Sequence, residues 1–587
     1  MIPLRTRAFL LGVMAGITLS TFANQVPRYP TGIALNSRGE LVIPEKGLKR
    51  VAVYSPDGRQ LIRSYAMDEE PTGIAVEGNR LYVTTFETKG ILKVLNLPDG
   101  KEVASVRVGS GARAPVINKV LDKLYVCNQF QNTISEVDLS TNRVTRTVPV
   151  LREPTSAAIS KDGKLLFVTN FLPAQRADVD HVSACVSVID LNSFTKIKDI
   201  RLANGSNALR GVCITPDGKY AYVSHNLGRY TVPTSQLQQG WMNTSAFSVI
   251  DVGQLQFLGT VIVDEPERGA AGIWSIACNE EKIFISHSGT HEISVIRHKE
   301  MLNKFLAFPD KSVLEYDLTF LYGLRERIPL QGNGPREILL ADNRLFVPTY
   351  FSDTLNVMDT RTHALSQADL NPGRVESSID KGEKYFHDAT LCFQHWQSCI
   401  GCHPEARADG MNWDLMNDGI GNPKNCKSLI FSHVTPPNMI SGIRDSAARA
   451  VRAGYKFIQF FEIPEEDAQC VDEYLMSLQP VPSPYLVNNE LSEKAKAGKK
   501  VFDRLKCGEC HSGIYYTDMK MYRIGEDIEF EKGWDTPTLR EVWRTAPYLF
   551  DGRAATMRDV FEVHGHGINK KVSSEDIEAL TEYVNSL

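Results

Sequence analysis

The chain has 587 residues, a hydrophobic fraction of 42% and a formal net charge of -5 at pH 7. This length exceeds what a single hydrophobic core normally serves, so two or three domains are expected. A nearly balanced charge over such a length argues against nucleic acid as the main partner.

The N-terminus carries the pattern of an export signal. Arg5 and Arg7 precede an apolar run from Ala8 to Leu19, and small residues around Ala23 offer a cleavage site. We therefore predict a secretory signal peptide over residues 1–23. The apolar run is too short to span a bilayer comfortably, and an uncleaved anchor is the alternative. The expected product is exported, in the periplasm or beyond, with no membrane span after cleavage.

Residues 30–372 repeat one unit: an apolar strand, a turn, a strand of the Leu-Tyr-Val type, a loop and a strand ending in Val-Ile-Asp. The turns have Asp-Gly signals, as in Ser55-Pro56-Asp57-Gly58. A period of about 40 residues with short strands is typical of propeller blades. Seven copies predict seven blades, and the pattern resembles the YVTN family of β-propellers. The second strands begin at Leu41, Leu81, Leu124, Leu166, Ala221, Ile283 and Leu345.

Two features interrupt the regular repeat. The stretch from Lys299 to Pro329 is longer than a blade needs and is predicted to be an insertion. His225 and His287 follow the second strands of their blades. Hydrogen-bonded structural histidines are the expected explanation, and a position facing the propeller mouth is the alternative.

Beyond a boundary near residues 373–383 the strand pattern stops and helical periodicity begins. Apolar residues recur at three- and four-residue intervals over 447–461, 465–478 and 574–587. A proline-rich linker at 480–484 separates two segments. The predicted fold class is therefore multidomain: an all-β seven-bladed propeller, then a mainly α pair of cytochrome c domains at 380–480 and 485–587.

Each of these two segments contains one copy of a CxxCH pentapeptide. Two thiols spaced in this way reach the two vinyl groups of a haem, and the following imidazole binds the iron. A zinc half-site or a disulfide is the alternative. The sequence predicts two covalent c-type haems, held by Cys399, Cys402 and His403 and by Cys507, Cys510 and His511.

Seven other cysteines remain, and an odd number in an oxidising compartment leaves at least one thiol free or in an intermolecular bond. Cys392 and Cys426 bracket the first motif and are the expected disulfide pair.

Three further blocks resemble the bacterial dihaem cytochrome c peroxidase and MauG superfamily, over residues 380–587. The resemblance implies that peroxide meets the N-terminal haem and that the C-terminal haem passes electrons. It makes His403 and His511 the proximal ligands. Counting along the family's pattern reaches His564 as sixth ligand of the second haem, with His566 as the alternative. The blocks are Gly382 to Asp388, Asp535 to Arg540 and Arg544 to Arg553.

The peroxide side needs an acid or base near the first haem. Glu462 stands closest to the place of the family's distal glutamate, with Glu465 and Glu466 as substitutes. His433 or His395 would instead cap the iron.

The family also has a tryptophan between its haems where this chain has Ile440. Trp413 is the candidate replacement for electron relay, and a buried structural tryptophan is an equal alternative. A calcium ion implied by the resemblance would use oxygens near the second motif and in the first segment, from Asn425, Asp535, Thr536 and Pro537.

The resemblance implies an exported dihaem oxidoreductase, peroxidase-like or MauG-like, with the propeller as a docking or substrate platform. Its partners would be peroxide or a redox protein, or a substrate held on the propeller. Two alternatives stay open. One is a dihaem electron-transfer protein without peroxidase activity, and the other is a ligand-binding propeller whose haems sense redox state.

Overall fold

The computed structural model describes residues 26–86, 88–231, 242–415, 421–524, 532–568 and 570–587. The predicted signal peptide at 1–23 lies outside these residues. Within them the chain forms seven four-stranded antiparallel sheets, followed by a smaller helical part. The prediction of a seven-bladed β-propeller is thereby confirmed. No helix in the described ranges combines the length and hydropathy needed to cross a bilayer.

Each blade consists of four consecutive strands that pair in chain order. Blades 1 and 2 contain β1 Ala34–Leu35, β2 Leu41–Glu45, β3 Arg50–Tyr54, β4 Leu61–Ala66, β5 Pro71–Glu77, β6 Arg80–Thr85, β7 Ile91–Asn96 and β8 Glu102–Arg107. Blades 3 and 4 contain β9 Ala112–Asn118, β10 Lys123–Asn128, β11 Thr133–Asp138, β12 Arg143–Pro149, β13 Pro154–Ile159, β14 Leu165–Asn170, β15 Cys185–Asp190 and β16 Thr195–Arg201.

Blades 5 to 7 complete the ring. They contain β17 Ser206–Ile214, β18 Tyr220–Gly228, β19 Asn243–Asp251, β20 Gln256–Ile262, β21 Ile273–Cys278, β22 Lys282–His287, β23 Glu292–Arg297, β24 Arg325–Pro329, β25 Leu339–Ala341, β26 Arg344–Thr349, β27 Thr354–Asp359 and β28 Leu365–Asp369.

The second strand of each blade is almost wholly buried because neighbouring blades cover both of its faces. In β2 every residue is buried, and β14 and β22 each have only their first residue half-buried. This double burial explains their continuous apolar runs, which differ from the alternation of a sheet with one face in water. The ring closes between blades 7 and 1, where Leu355 and Phe346 pack with Leu41 and Tyr54.

The predicted insertion after blade 6's third strand is present. It contains α1 His298–Ala307 and a 3-10 helix at Lys311–Tyr316, between β23 and β24. Phe305 and Leu314 are fully buried against Phe247 and Val261 of blade 5. The insertion therefore extends the core on the side of the propeller and is a folded element.

The helical part is built twice from the same order of elements. The first half (residues 378–477) contains α2 Ser378–His387, a 3-10 turn Cys399–Gly401, β29 Asn412–Trp413, β30 Lys424–Asn425, α3 Ala447–Phe457 and α4 Glu465–Ser477. The second half (residues 493–585) contains α5 Glu493–Arg504, a 3-10 turn Cys507–Glu509, β31 Met521–Tyr522, β32 Trp534–Asp535, α6 Met557–Glu562 and α7 Ser574–Asn585.

A glycine lies at the same helix crossing in both halves. A Cβ on Gly382 of α2 would lie 1.9 Å from the carbonyl oxygen of Cys470 on α4. A Cβ on Gly498 of α5 would lie 1.9 Å from the carbonyl oxygen of Ala579 on α7. Because only glycine lets two helix backbones approach this closely, both crossings are specified by single residues.

Candidate functional site

The first CxxCH motif folds as a tight turn that fixes its histidine. Cys399–Gly401 form the 3-10 turn, and the backbone N–H of His403 donates to the Cys399 carbonyl at 2.9 Å. The imidazole Nδ1 lies 3.1 Å from the Arg407 carbonyl oxygen, which requires the proton on Nδ1. Nε2 is then the nitrogen with a free lone pair, the arrangement found in metal-binding histidines.

The second motif repeats this geometry. The His511 N–H donates to the Cys507 carbonyl at 2.9 Å, and His511 Nδ1 lies 3.2 Å from the Tyr516 carbonyl oxygen. Burial lowers the pKa of both His403 and His511, so both imidazoles stay neutral. A neutral imidazole with its Nδ1 proton committed to the backbone binds metal through Nε2.

A second imidazole faces His511. The ring centroid of His566 lies 6.2 Å from that of His511, with 58° between the ring planes. Burial, with a smaller contribution from His511, lowers the pKa of His566 to about 4. With metal–nitrogen bonds of about 2 Å, two imidazoles that share one metal have centroids about 6 Å apart. The residues of the second motif therefore fit a haem iron with two histidine ligands.

The structure brings His566, the alternative in the sequence prediction, to this position. His564 lies two residues beyond the end of α6, and its backbone N–H still donates to the Asp559 carbonyl at 3.0 Å. The His566 N–H donates to the Val560 carbonyl at 3.0 Å, one step further along. Because of the way the chain leaves α6, the imidazole of His566 faces the second motif.

The first motif is enclosed between the propeller and α3. The side-chain amide of Asn243 in β19 lies 3.4 Å from the Cys402 sulfur, and that of Asn226 in β18 donates to the Gly401 carbonyl at 3.3 Å. On the other side, Gln459 just beyond α3 lies 3.3 Å from the Cys399 sulfur. Burial raises the pKa of the Cys399 thiol to about 12. The two sulfur atoms therefore lie between the propeller and α3 in a half-buried position.

Trp413 belongs to the same environment. It packs in a cluster with Met411, Cys402 and Cys426, and its indole N–H donates to Asp409 at 2.8 Å. Asp409 is fully buried, and burial raises its pKa to about 7. Trp413 therefore lies beside the first motif with a buried carboxyl fixing its ring. The sequence did not indicate Asp409, because only the folded structure shows that its carboxyl group accepts a hydrogen bond from the Trp413 indole.

The predicted distal acids lie on the surface. Glu462 is 80% exposed at its side chain and pairs with Lys456 at 2.8 Å. Glu465 is 65% exposed and pairs with Arg452, and Glu466 is exposed. The side chain from this segment that reaches the first motif is Gln459. The structure therefore does not support Glu462 as the group next to the motif, because its carboxylate is committed to Lys456 in solvent.

The two histidines considered as caps have other surroundings. His433 Nε2 lies 2.9 Å from Asp472, whose other oxygen accepts from Arg452. His395 is half-buried beside blade 6, where the preceding Gln394 carbonyl accepts from the Gly269 N–H at 2.8 Å. His433 is thus held in an ion cluster of the first half, and His395 lies in the contact with the propeller.

His225 and His287 are structural, as expected. His225 lies 2.8 Å from the Ser248 hydroxyl and 3.0 Å from the Asn226 carbonyl oxygen. His287 lies 2.8 Å from the Ser294 hydroxyl and 2.7 Å from the Ala270 carbonyl oxygen. Both rings are fully buried inside their blades.

An ion network joins the propeller to both halves of the helical part. Arg544 of the second half pairs with Glu153 of blade 4 at 2.8 Å and also with Glu405 of the first half. Arg152 donates to the Arg544 carbonyl at 2.8 Å. The Arg544 and Glu153 side chains are each only 4% exposed. Since Glu405 follows His403 by two residues, this network anchors the first motif against the propeller.

The predictions for calcium and for the disulfide are not supported. The Asp535 carboxylate, predicted as a calcium ligand, pairs with the Lys427 ammonium. A side-chain cation therefore already neutralises its charge. Thr536 bonds to the Lys520 carbonyl, and the Asn425 backbone N–H bonds to the Phe550 carbonyl. Pro537 follows in the same segment. Among the described residues, no group of three or more His, Cys, Asp or Glu is placed to hold a metal ion.

None of the eleven cysteines forms a disulfide bond in the structure. The Cys426 sulfur lies 3.0 Å from the Cys402 carbonyl oxygen and 3.4 Å from His403 Nδ1, so it faces the first motif. Cys392 instead bonds to the carbonyl oxygen of its neighbour Phe393. The predicted Cys392–Cys426 disulfide is therefore wrong in this structure.

A groove of about 650 Å³ runs along the outer face of α3. Cationic side chains dominate it, with one carboxylate among them. The sequence did not predict this groove, because its only trace there is the helical spacing of the basic residues. The charged residues that line it are Arg444, Asp445, Arg449, Arg452 and Lys456.

Comparison with known proteins identifies relatives of low identity. No protein-family model matches the chain. The gamma subunit of hydrazine synthase from Kuenenia stuttgartiensis is 26% identical over 272 residues, which is 35% of this chain and 76% of that subunit. The beta subunit of hydrazine synthase from the same organism is 24% identical over 214 residues, 35% of this chain and 53% of that subunit.

A solved structure of Kuenenia stuttgartiensis hydrazine synthase gives a TM-score of 0.53 at 21% identity, over 59% of this chain and 99% of that chain. This likeness shows a shared fold. The chain spans about half the length of the beta subunit. These matches are to hydrazine synthase subunits, so the resemblance to dihaem peroxidases rests on the sequence blocks alone.

Proposed function

We propose that this chain is an exported redox enzyme with two c-type haems, in which the first motif serves the substrate and the second passes electrons. The observation that carries the proposal is the unequal pair of histidine sites. His403 and His511 are anchored identically through Nδ1, but His511 faces a second imidazole, His566, at 6.2 Å. A haem bound there supplies one-electron redox chemistry, and two imidazoles suit electron transfer.

The residues around the first motif suit a protected reaction site. Asn243 and Gln459 cover the two thiols from opposite sides, and the Asp409 carboxylate holds Trp413 in place. The Arg544 network fixes Glu405, and with it the segment that carries His403. Together these contacts orient the motif and reduce its contact with bulk water, which strengthens electrostatic interactions inside.

The similarity to two hydrazine synthase subunits supports an enzyme over a simple carrier, since the name of those relatives is that of an enzyme. The resemblance to dihaem peroxidases points to peroxide as substrate or oxidant. The relatives point to small nitrogen compounds. The position of Glu462 in solvent removes the acid that the peroxidase reaction would use there.

The same observation favours a second candidate. With Glu462 on the surface, the chain would be a dihaem electron-transfer protein without a substrate at iron. The two candidates differ in the first site, which is open to a substrate in one and six-coordinate in the other.

The test uses the full chain produced in cells that attach haem. We expect two haems per polypeptide by pyridine haemochrome, and one when Cys399 and Cys402, or Cys507 and Cys510, are replaced by Ala. Electron paramagnetic resonance of the oxidised protein should show one low-spin and one high-spin haem, with turnover of peroxide or hydroxylamine in the presence of a reduced donor. Two low-spin haems inert to both substrates would establish the carrier, and a colourless protein would end both proposals.

A further inference from the structure

Three arginines and a tryptophan surround one end of the propeller's axial channel. The first strand of each blade is innermost, because successive first strands from β1 to β25 contact one another around the axis. Arg113 stands on β9, Arg210 on β17 and Trp274 on β21. Arg336 follows Pro335, which bridges to Thr349 of β26. All four side chains are half-buried, so the space they line is open to solvent.

Bulges in the innermost strands account for this placement. The register of β17 shifts between Asn207 and Gly211, and that of β21 shifts between Ile273 and Ile276. Arg210 and Trp274 lie within these two bulges. A bulge turns a side chain away from the regular alternation of the strand. The residues at the bulges can therefore face the channel together.

The guanidinium groups stack on aromatic rings by their flat faces. Arg210 Cζ lies 3.6 Å from the centroid of the Trp274 ring, and Arg336 Cζ lies 4.4 Å from it. Arg336 Cζ also lies 3.5 Å from the centroid of the Tyr350 ring. Stacking occupies the planes of the groups and leaves the N–H donors at their edges for a ligand.

Protein partners for these donors are few, and one of them is the Tyr350 side chain, which hydrogen-bonds to Arg336. Within the described ranges, neither Arg210 nor Arg336 has a carboxylate at ion-pair distance, and Nε of Arg336 is a buried nitrogen without a hydrogen-bond acceptor. Buried polar groups normally find a partner, so the unpaired Nε of Arg336 in a cluster of three arginines calls for an acceptor. Their arrangement indicates that a molecule outside the chain accepts these hydrogen bonds.

The nearby carboxylates do not neutralise the cluster. Arg113 donates to Gln129 at 2.7 Å and lies 3.7 Å from Glu405, which is already shared with Arg544. Glu337 lies close to the three arginines, yet burial raises its pKa. Three guanidinium groups against two carboxylates leave an excess positive charge in a confined space.

We propose that this arginine chamber (Arg113, Arg210, Trp274, Arg336 and Glu405) binds a small oxyanion. The planar fork of arginine matches two oxygens of a compact oxyanion such as nitrate or phosphate. Arg210 and Arg336 bind the anion through their edges, and Glu405 forms the roof, two residues from His403. The site thus lies directly under the segment of the first motif. It is formed by the propeller and Glu405 and does not depend on haem attachment.

The test is calorimetric titration of the full-length protein with sodium phosphate and with sodium nitrate, at ionic strength held constant with sodium chloride. We expect saturable binding of at least one oxyanion. Arg210→Gln and Arg336→Gln should each raise Kd about tenfold or more, since each removes a charge-assisted pair of donors. Glu405→Gln should lower Kd several-fold, because it removes the negative charge at the roof.

Arg59→Gln is the matched control, because its side chain is 70% exposed on the rim of blade 1. It should leave Kd unchanged. Should a glutamine variant fail to fold, Arg336→Lys keeps the charge and loses the fork, and Kd should still rise. The proposal is overturned if the wild-type protein binds neither oxyanion at millimolar concentration, or if Arg59→Gln weakens binding as much as the chamber variants. Haem content measured on the same samples separates this result from the proposed redox function.

Discussion

The two halves of the helical part share their elements and differ in what surrounds them. Each has a serine-capped helix, a CxxC turn and a histidine anchored through Nδ1. Each also has an aspartate bonded to the aromatic residue four positions later, Asp409 to Trp413 and Asp518 to Tyr522. In the first half the propeller contacts the motif itself through Asn243. In the second, it contacts the later segment with Arg544.

This difference shows that the CxxCH motif fixes the position of its own histidine, whereas the residues around the motif fix the burial and charge of each site. Burial raises the pKa of Asp409 to about 7. At the matching position in the second half, burial is the largest single influence and raises the pKa of Asp518. The hydrogen bonds from Tyr522, Thr536 and the Lys520 N–H together outweigh it, so the pKa is lowered. Two aspartates at matching positions therefore differ: Asp409 is a buried acid in the first half, and Asp518 is a charged carboxylate in the second half.

The largest expected effect is on the second haem. His566→Ala removes the imidazole that faces His511, so one low-spin haem should become high-spin while the other is unchanged. Electron paramagnetic resonance and the optical spectrum of the oxidised protein measure this directly.

His564→Ala is the matched control, because it removes the neighbouring imidazole without touching the one at 6.2 Å. Its spectrum should equal that of the wild type. The reverse result, with His564→Ala changing the low-spin signal and His566→Ala not, would move the ligand assignment back by two residues.

A second prediction concerns the joint between the halves and the propeller. Arg544→Ala leaves Glu153 and Glu405 without their buried cation, and we expect a loss of about 3–5 kcal/mol in the free energy of unfolding. Urea denaturation followed by tryptophan fluorescence measures it. Arg558→Ala, which breaks an exposed pair with Glu562, should cost less than about 1 kcal/mol. Equal losses in both variants would show that the network contributes no more than a surface pair.

A third prediction separates the two aspartates by pH. Because Asp409 has a raised pKa, the folded protein holds a proton that the unfolded chain releases between about pH 4 and 7. Its contribution to stability is full below that window and is lost as pH rises through it. Asp409→Asn should therefore gain stability relative to the wild type with rising pH, by on the order of 4 kcal/mol across the window.

Asp518→Asn should behave in the opposite way. The lowered pKa of Asp518 contributes stability above its unfolded pKa, and that contribution is lost as pH falls. The variant should therefore be weaker than the wild type at neutral pH and equal to it in acid. Stability curves from pH 3 to 8 that run parallel for the two variants would contradict the assigned difference in burial.

Much of the propeller could be predicted because its signals are local. All seven predicted second-strand starts fall within observed second strands, from Leu41 in β2 to Leu345 in β26. These strands are covered on both faces, so their apolar runs are continuous and easy to recognise. The helix predicted at 465–478 is also present, as α4 Glu465–Ser477.

The environment of the site could not be predicted because it depends on contacts distant in sequence. Arg544 and Glu153 are separated by 391 positions, and neither has a local signal for the other. Glu462 was placed by counting along a family pattern, whereas the direction of its side chain follows from how the chain leaves α3. The choice between His564 and His566 stayed open for the same reason, since the end of α6 fixes which imidazole faces His511.

The smallest expected effect concerns the serine caps of α2 and α5, and it tests whether the two caps contribute equally to the free energy of unfolding. Ser377 caps α2 by accepting from the Asp380 N–H at 3.1 Å, and Ser492 caps α5 by accepting from the Ala495 N–H at 3.0 Å. Replacement of either serine by Ala should cost about 1 kcal/mol, measured by urea denaturation.

The two caps differ in one respect that allows a sharper expectation. Asp380 also accepts from the Tyr29 hydroxyl at 2.7 Å, so the first cap is tied to the start of the propeller. Ser377→Ala should therefore loosen that contact, and the N–H groups near Tyr29 should exchange faster with solvent, whereas Ser492→Ala should leave them unchanged. Faster exchange there in both variants would mean that the two halves unfold together, so that the contact between the first cap and the propeller has no separate effect on stability.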